Sequence, residues 1–329
     1  MSDLILVTGG AGFVGKRLVQ RLRSAERPVR VLDIAEPAHD DDMKGSVTDP
    51  DAVAKAMEGV GTVFNLAGDA QLWRKDPKVF DEINHKGVKV VVDAALKADV
   101  GRFVHCSSLT TLVGKGTPLG SSSADENIRL APKDMLGPYP LSKLLGERVV
   151  EDAVRSGLDA VIVLPTEPLG GGDENLTPPT QMIIDFVNGV HPAYYNCMLN
   201  FVPVESLVDG ILAAHDRGKT GERYVLGGEN IRLRNLLNML ESRTRQPMPK
   251  WRIPYIAALL VGIIDTKILS ARSGNPPRAP LTGVRLAGRR VSVSSGKAQR
   301  ELDWIASDVP DALSEAIAWL EERQLIETY

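Results

Sequence analysis

Cysteine is nearly absent: Cys106 and Cys197 are the only two in 329 residues. They lack metal-ligand spacing, so neither a disulfide framework nor a zinc site is expected, and a reducing, cytoplasmic setting fits best. Net charge is also close to absent. A balance of -3 gives no general attraction to nucleic acid. Long apolar runs are missing too. The first, residues 4–7, is too short for a signal peptide. No stretch reaches the roughly 18 to 20 apolar residues that span a bilayer. Internal repeats and low-complexity tracts are likewise lacking. What remains is an ordinary globular composition, 43% hydrophobic, in a chain longer than one typical domain.

The first half alternates between strand and helix patterns. Residues 4–7 read as a short buried strand, and 29–32, 63–66, 102–106 and 160–164 as further strands. Helical periodicity covers 13–23, with Val14, Leu18 and Leu22 on one face, and then 51–57, 86–96 and 140–154. Asp49 and Pro50 supply a helix cap and a first helical residue. Such alternation predicts an α/β fold, a doubly wound parallel sheet of the Rossmann type covered on both faces. After residue 166 the pattern loosens into helices at 181–187, 204–214, 235–242, 255–264 and 310–322, with a strand at 224–226. Two parts are expected, 1–166 and 167–329, with some later segments returning to the first sheet.

Residues 8–15 read Thr-Gly-Gly-Ala-Gly-Phe-Val-Gly, between the first strand and the first helix. Gly9 permits a tight turn, Gly12 lets backbone approach a pyrophosphate, and Gly15 lets helix and strand pack closely. Free N–H groups at the helix start, from Phe13 and Val14, favour the phosphates. Alone, a glycine-rich turn is a weak signal; the strand–turn–helix context strengthens it. Asp33 ends the second strand, where a carboxylate accepts from both ribose hydroxyls and repels a 2′-phosphate. Ile34 and Ala35 follow in place of arginine, and Arg30 lies before the strand end. NAD is therefore expected over NADP.

Tyr139 and Lys143 stand four apart, on one helix face and about 6 Å from each other. Pro140 places them at the start of that helix. An ammonium beside a phenol lowers its pKa and makes it a usable acid or base. Ser107 and Ser108 end the strand at 102–106, where a hydroxyl can hydrogen-bond a carbonyl oxygen. In isolation the tyrosine–lysine spacing is common by chance.

Taken together, these residues resemble the extended short-chain dehydrogenase/reductases of the NAD-dependent epimerase/dehydratase superfamily. The likeness covers almost the whole chain: Thr8–Gly15, Asp33, Asn65-Leu66-Ala67-Gly68, Asn84 to Gly87, Ser107-Ser108 and Tyr139 to Lys143 occur in the family's order. The resemblance implies that Tyr139 is the catalytic acid/base. It implies that Lys143 holds the nicotinamide ribose and depresses the tyrosine, and that Ser108 rather than Ser107 polarises the carbonyl. Leu66, Ala67 and Gly68 would pack beside the adenosine and ribose, Ser46 and Val47 near the adenine, and Pro165 beside the nicotinamide. A homodimer through the helices at 86–96 and 140–154 is implied as well.

The likeness is closer to a dihydroflavonol-reductase-like and hopanoid-associated epimerase-like bacterial branch. It is carried by Leu72-Trp73-Arg74-Lys75-Asp76-Pro77, Asn175-Leu176-Thr177-Pro178 and the run at 221–230. Ser46-Val47, Leu164-Pro165 and Leu112-Val113-Gly114 depart from patterns common among nucleotide-sugar members. The expected reaction is reduction of a ketone, or oxidation of the matching alcohol, on an apolar and lipid-like small molecule. A sugar epimerase or dehydratase and a non-catalytic dinucleotide-binding scaffold remain as alternatives.

One stretch lies outside the family pattern. Residues 253–264 are apolar, and 266–300 carry eight Lys/Arg and no Asp/Glu. Such a pair of features reads either as a core helix with basic loops or as a peripheral membrane contact through 253–300, at the inner membrane face.

Overall fold

The computed structural model describes residues 2–120 and 122–327. Seven parallel strands form the central sheet: β1 (Leu4–Thr8), β2 (Val29–Asp33), β3 (Met43–Lys44), β4 (Val60–Asn65), β5 (Arg102–Cys106), β6 (Ala160–Pro165) and β7 (Arg223–Leu226). Across the sheet they run β7-β6-β5-β4-β1-β2-β3. The chain reverses its direction of travel between β1 and β4, which leaves a crevice at their carboxyl ends. All six residues of β6 are buried, as expected of a parallel strand covered on both faces.

Helices cover each face. On one side α1 (Phe13–Ser24) and the helix Val204–Arg217 bury Leu18, Val19, Leu22, Leu207, Val208 and Ile211. On the other, α2 (Pro50–Ala56), α3 (Val88–Lys97) and α4 (Pro138–Arg155) bury Val53, Ala56, Val91, Val92, Val150 and Ala153. The Rossmann-type doubly wound sheet expected from the sequence is what forms.

Boundaries moved where local chemistry overrode periodicity. Asp49 caps α2, accepting from the N–H groups of Asp51 at 3.0 Å and Ala52 at 3.3 Å. The tyrosine–lysine helix begins at Pro138, because a proline costs little in a first turn. The helix expected from residue 86 is preceded by a π-helical turn, Glu82–Gly87. There the side chain of Asn84 is spent on the backbone of Asp69, accepting from its N–H and donating to its carbonyl, each at 2.9 Å.

Beyond residue 166 a second apolar cluster forms around Leu169, Ile183, Phe186, Leu236, Leu240, Leu313 and Leu320. Two short pairings frame it, Glu167–Leu169 with Met198–Pro203 and Glu229–Arg232, and Ala193–Tyr195 with Trp251–Ile253; a third, Ser122–Ala124 with Val291–Val293, packs in a separate cluster with Leu164 and Val225. The strand Arg223–Leu226 returns to the main sheet, pairing with Ile162 to Pro165.

That return carries a buried charge. Arg223 on β7 meets Glu147 on α4 at 3.2 Å, with side chains only 3% and 2% exposed. Arg223 also donates to the Ile128 carbonyl at 3.0 Å and to Thr111 Oγ1 at 3.3 Å. Ser107 donates to Glu147. Removing one partner of such a pair strands the other charge. Arg223→Met is therefore expected to cost about 3–5 kcal/mol, read by urea unfolding. Arg223→Met combined with Glu147→Leu is expected to recover most of that loss; a double variant as unstable as the single one would contradict the account.

Candidate active site

The glycine turn lies at the crevice. Gly9 has φ +72°, and a Cβ there would sit 2.7 Å from the backbone of Ala67. Only glycine lets β1 and the segment after β4 approach this closely. At Gly15 a Cβ would lie 2.1 Å from the Gly9 carbonyl oxygen, so the helix start folds back onto the turn. Gly12 heads α1 with no side-chain cap, and the first turn contains no acidic residue. The free N–H groups of that turn thus meet no competing anion of the protein.

A ladder of polar side chains joins the strand ends. Thr8 Oγ1 donates to Asn65 Oδ1 at 2.7 Å and accepts from the Ala67 N–H at 3.2 Å. Asn65 Nδ2 lies 3.2 Å from His105 Nδ1. As the amide can only donate, it fixes His105 with its proton on Nε2. Burial holds the His105 pKa well below its ordinary value, so the ring is neutral. Asp33 ties the turn from the other side, accepting from the N–H of Ala11 at 2.9 Å and of Ala35 at 3.0 Å. Each carboxylate oxygen keeps a further lone pair for a ligand hydroxyl. Ile34 beside it is 74% exposed. Arg30 is turned away, donating to the carbonyls of Ala56 and Glu58, both at 2.8 Å. Ser46 Oγ accepts from the Thr48 N–H at 3.1 Å, and Val47 is buried against Gly87.

Tyr139 and Lys143 are both buried in the first turns of α4. The ring of Phe80 meets Tyr139 edge-on, centroids 6.0 Å apart. Lys143 Nζ donates to the Cys106 carbonyl at 2.6 Å. A Cβ on Gly68 would lie 3.7 Å from Nζ. Ser108 Oγ accepts from Thr110 twice, from the N–H at 3.2 Å and from Oγ1 at 3.1 Å. Its own proton is therefore left to donate elsewhere, and Tyr139 is within its reach. Ser107 is committed to Glu147. Pro165 closes β6 opposite Leu226.

The expected depression of the tyrosine by Lys143 is not found. Burial pushes the Tyr139 phenol up to about 12, and the Ser108 hydrogen bond only partly offsets it. Burial also lowers the Lys143 ammonium. With desolvation the largest cause of both shifts, the phenol stays protonated at neutral pH.

Several residues here escaped the sequence reading. Asp69, just beyond Gly68, is gripped by Arg74 through Nε at 2.6 Å and Nη2 at 3.1 Å, and its charge raises Tyr139. The signal available was the Arg74 of the run 72–77. Glu167 follows Pro165 by two residues; its Oε2 is enclosed and unpartnered although the residue as a whole is half-buried. Burial raises its carboxyl to about 8. Nothing in the local pattern distinguishes it from a surface glutamate.

The arrangement fits a dinucleotide: an uncapped helix start behind a glycine turn, and at the next strand end a carboxylate in no salt bridge among the described residues. The family model for the NAD-dependent epimerase/dehydratase family matches residues 5–227. The chain belongs to that family. Its members are NAD-dependent enzymes, and NAD is the cofactor. A putative dihydroflavonol 4-reductase of Synechocystis is 33% identical, covering 100% of this chain and 97% of that protein. The sterol demethylase protein B of Methylococcus capsulatus is 31% identical, covering 98% and 99%. The crystal structure of gox2253 superposes with a TM-score of 0.83 at 33% identity, covering 99% of this chain and 100% of that one.

Glu167 generates a test of the burial argument. Its folded pKa of about 8 stands above the ordinary 4.5, so between those values the folded state binds the extra proton and stability falls as pH rises. Glu167→Gln is expected to flatten that slope and to be the more stable form above pH 8. Parallel melting curves of the two proteins across this range would show the opposite.

Proposed function

We propose that the protein reduces a ketone, or oxidises the matching alcohol, on an apolar, lipid-like small molecule. The observation that carries this reading is the buried Tyr139 phenol, protonated at neutral pH, beside a Ser108 hydroxyl whose oxygen already accepts twice from Thr110. A carbonyl oxygen placed against both would accept a hydrogen bond from Ser108 while Tyr139 gives it a proton. When bound, the nicotinamide supplies or takes the hydride. The uncapped turn at Gly12, Phe13 and Val14 would hold the pyrophosphate, and Asp33 the adenosine ribose. Lys143, between the Cys106 carbonyl and Gly68, would hold the nicotinamide ribose, with Pro165 lining the nicotinamide side.

The apolar substrate class is supported by two things. The relatives at 33% and 31% identity are named as a putative dihydroflavonol 4-reductase and a sterol demethylase protein. Leu164-Pro165 also departs from the pattern common among nucleotide-sugar members of the family. We assign residues 1–166 to the dinucleotide and most of 167–329 to the substrate. Pairing of α3 and α4 between two copies belongs to the same reading.

Stoichiometric NADH loss with a panel of 3-oxo lipids, steroids and nucleotide sugars tests it. Ketone-dependent consumption is expected, whereas isomerised nucleotide sugar without net NADH loss would establish an epimerase instead. Tyr139→Phe is expected to lower kcat by about 10²–10⁴-fold, with Ser108→Ala less severe. Full turnover by Tyr139→Phe would remove the tyrosine from the chemistry.

A further inference from the structure

Seven of the eleven large apolar side chains exposed among the described residues lie between Trp251 and Leu269. Exposed apolar residues scattered singly are ordinary; a contiguous group is not. The backbone explains the clustering. Helix Tyr255–Ile264 continues through a π-helical turn, Asp265–Leu269, into Ser270–Ser273, and ends at Gly274 with φ +74°. Ala258 and Gly262, four apart, are buried on its inner face. There Gly262 admits Val284 and Leu281 of the helix Leu281–Ala287; its Cβ would lie 3.3 Å from Val284 Cγ2. Ile256, Leu260 and Ile264 are each offset two residues from that seam, about 200° around the axis. They face outward, 70%, 55% and 49% exposed, and Ile268 extends the row.

The charge around this face has one sign. Asp265, its one acid, points inward and accepts from the Ala279 N–H at 2.8 Å. Of the cations at 266–300, several are engaged within the fold. Arg289 donates to the Thr117 carbonyl at 2.6 Å, Arg290 to that of Asn196 at 3.0 Å, and Lys297 to that of Arg223 at 2.8 Å. Lys267, Arg272 and Arg278 remain exposed, as do Lys250 and Arg252 just before the helix. None of these five is in a salt bridge among the described residues.

We infer that the outer face of helix 255–269, with Lys267 and Arg272, docks the protein on a bilayer containing anionic phospholipid. An apolar row flanked by unpaired cations matches the interface between acyl chains and negative headgroups. A second copy suits it poorly, because two such faces brought together would oppose like charges. No helix among the described residues is long and apolar enough to cross a membrane, so the rod lies along the surface. The face is one helix away from the site. Gly137, two residues before Tyr139, lies against Thr282 of the helix Leu281–Ala287, where a Cβ would be 2.4 Å from Oγ1. The docked orientation thus puts the Tyr139 end of α4 near the membrane. Use of a bilayer-dissolved substrate rests on the proposed function; docking itself does not.

The test is co-sedimentation of the full chain with vesicles of phosphatidylcholine, alone or mixed equally with phosphatidylglycerol, at low and high salt. Binding to the mixed vesicles, weakened by salt, is expected. Leu260→Glu with Ile264→Glu should reduce partitioning by about tenfold or more, and Lys267→Glu with Arg272→Glu should remove the preference for anionic lipid. As all four side chains are outside the core, melting temperature and NAD binding should match wild type. A wild-type chain left in the supernatant overturns docking, whatever it reduces. So does a Leu260→Glu/Ile264→Glu protein that binds as wild type, or one that changes only from dimer to monomer. A failed ketone assay leaves the vesicle result standing, so the two proposals fail separately.

Discussion

A guanidinium and a carboxylate sealed from water set the geometry of this site. Glu147 lies one turn past Lys143 on α4, and Arg223 opens β7, the last strand of the sheet. Each would be intolerable where it is without the other, since burial of a lone charge is far costlier than burial of an ion pair. Burial raises Glu147, and the Arg223 charge opposes that rise. Because the carboxylate also takes the Ser107 hydroxyl, the pair couples α4 to the end of β5. Ser108 is thereby held next to Tyr139, with Ser107 spent as its anchor. The helix that carries the acid/base candidate cannot slide along the sheet without breaking this pair.

The crevice side is built on contact rather than charge. Gly9 lies against the Ala67 backbone because no side chain intervenes, and the Thr8–Asn65–His105 ladder holds three adjacent strand ends together. A neutral His105 matters here: a charged imidazole next to the buried Lys143 ammonium would repel it, and that ammonium is among the causes that lower the ring. Asp33 then fixes the loop from the β2 side. The opening left between β1 and β4 is bounded by backbone N–H groups and small residues.

The parts legible in the sequence were those whose signal is local. The strands at β1, β2, β5 and β6 are short runs rich in apolar and β-branched residues. The glycines encode a turn that only glycine can make, and Tyr139 with Lys143 share a face by spacing alone. What could not be read depends on partners far along the chain. Glu147 and Arg223 are separated by more than seventy residues, and neither carries a local pattern. Asn84 looked like a helix start but stretches its helix into a π-turn to hold Asp69. The stretch at 266–300 had the reverse problem. Its cations look alike in sequence, yet Arg289, Arg290 and Lys297 are internal struts while Lys267 and Arg272 face solvent.

Desolvation links these observations. It raises Tyr139, Cys106, Glu147 and Glu167 and lowers Lys143 and His105, each shift favouring the uncharged form. A site with that bias offers little compensation to an anionic substrate and much to a neutral one, whose carbonyl needs only hydrogen bonds until charge develops on its oxygen. In the proposed reaction the dry surroundings would then strengthen the Ser108 and Tyr139 contacts, because few waters would compete for the oxygen. The same burial that defeats the simple expectation of a lysine-lowered tyrosine therefore keeps the phenol protonated, as the proposed function requires.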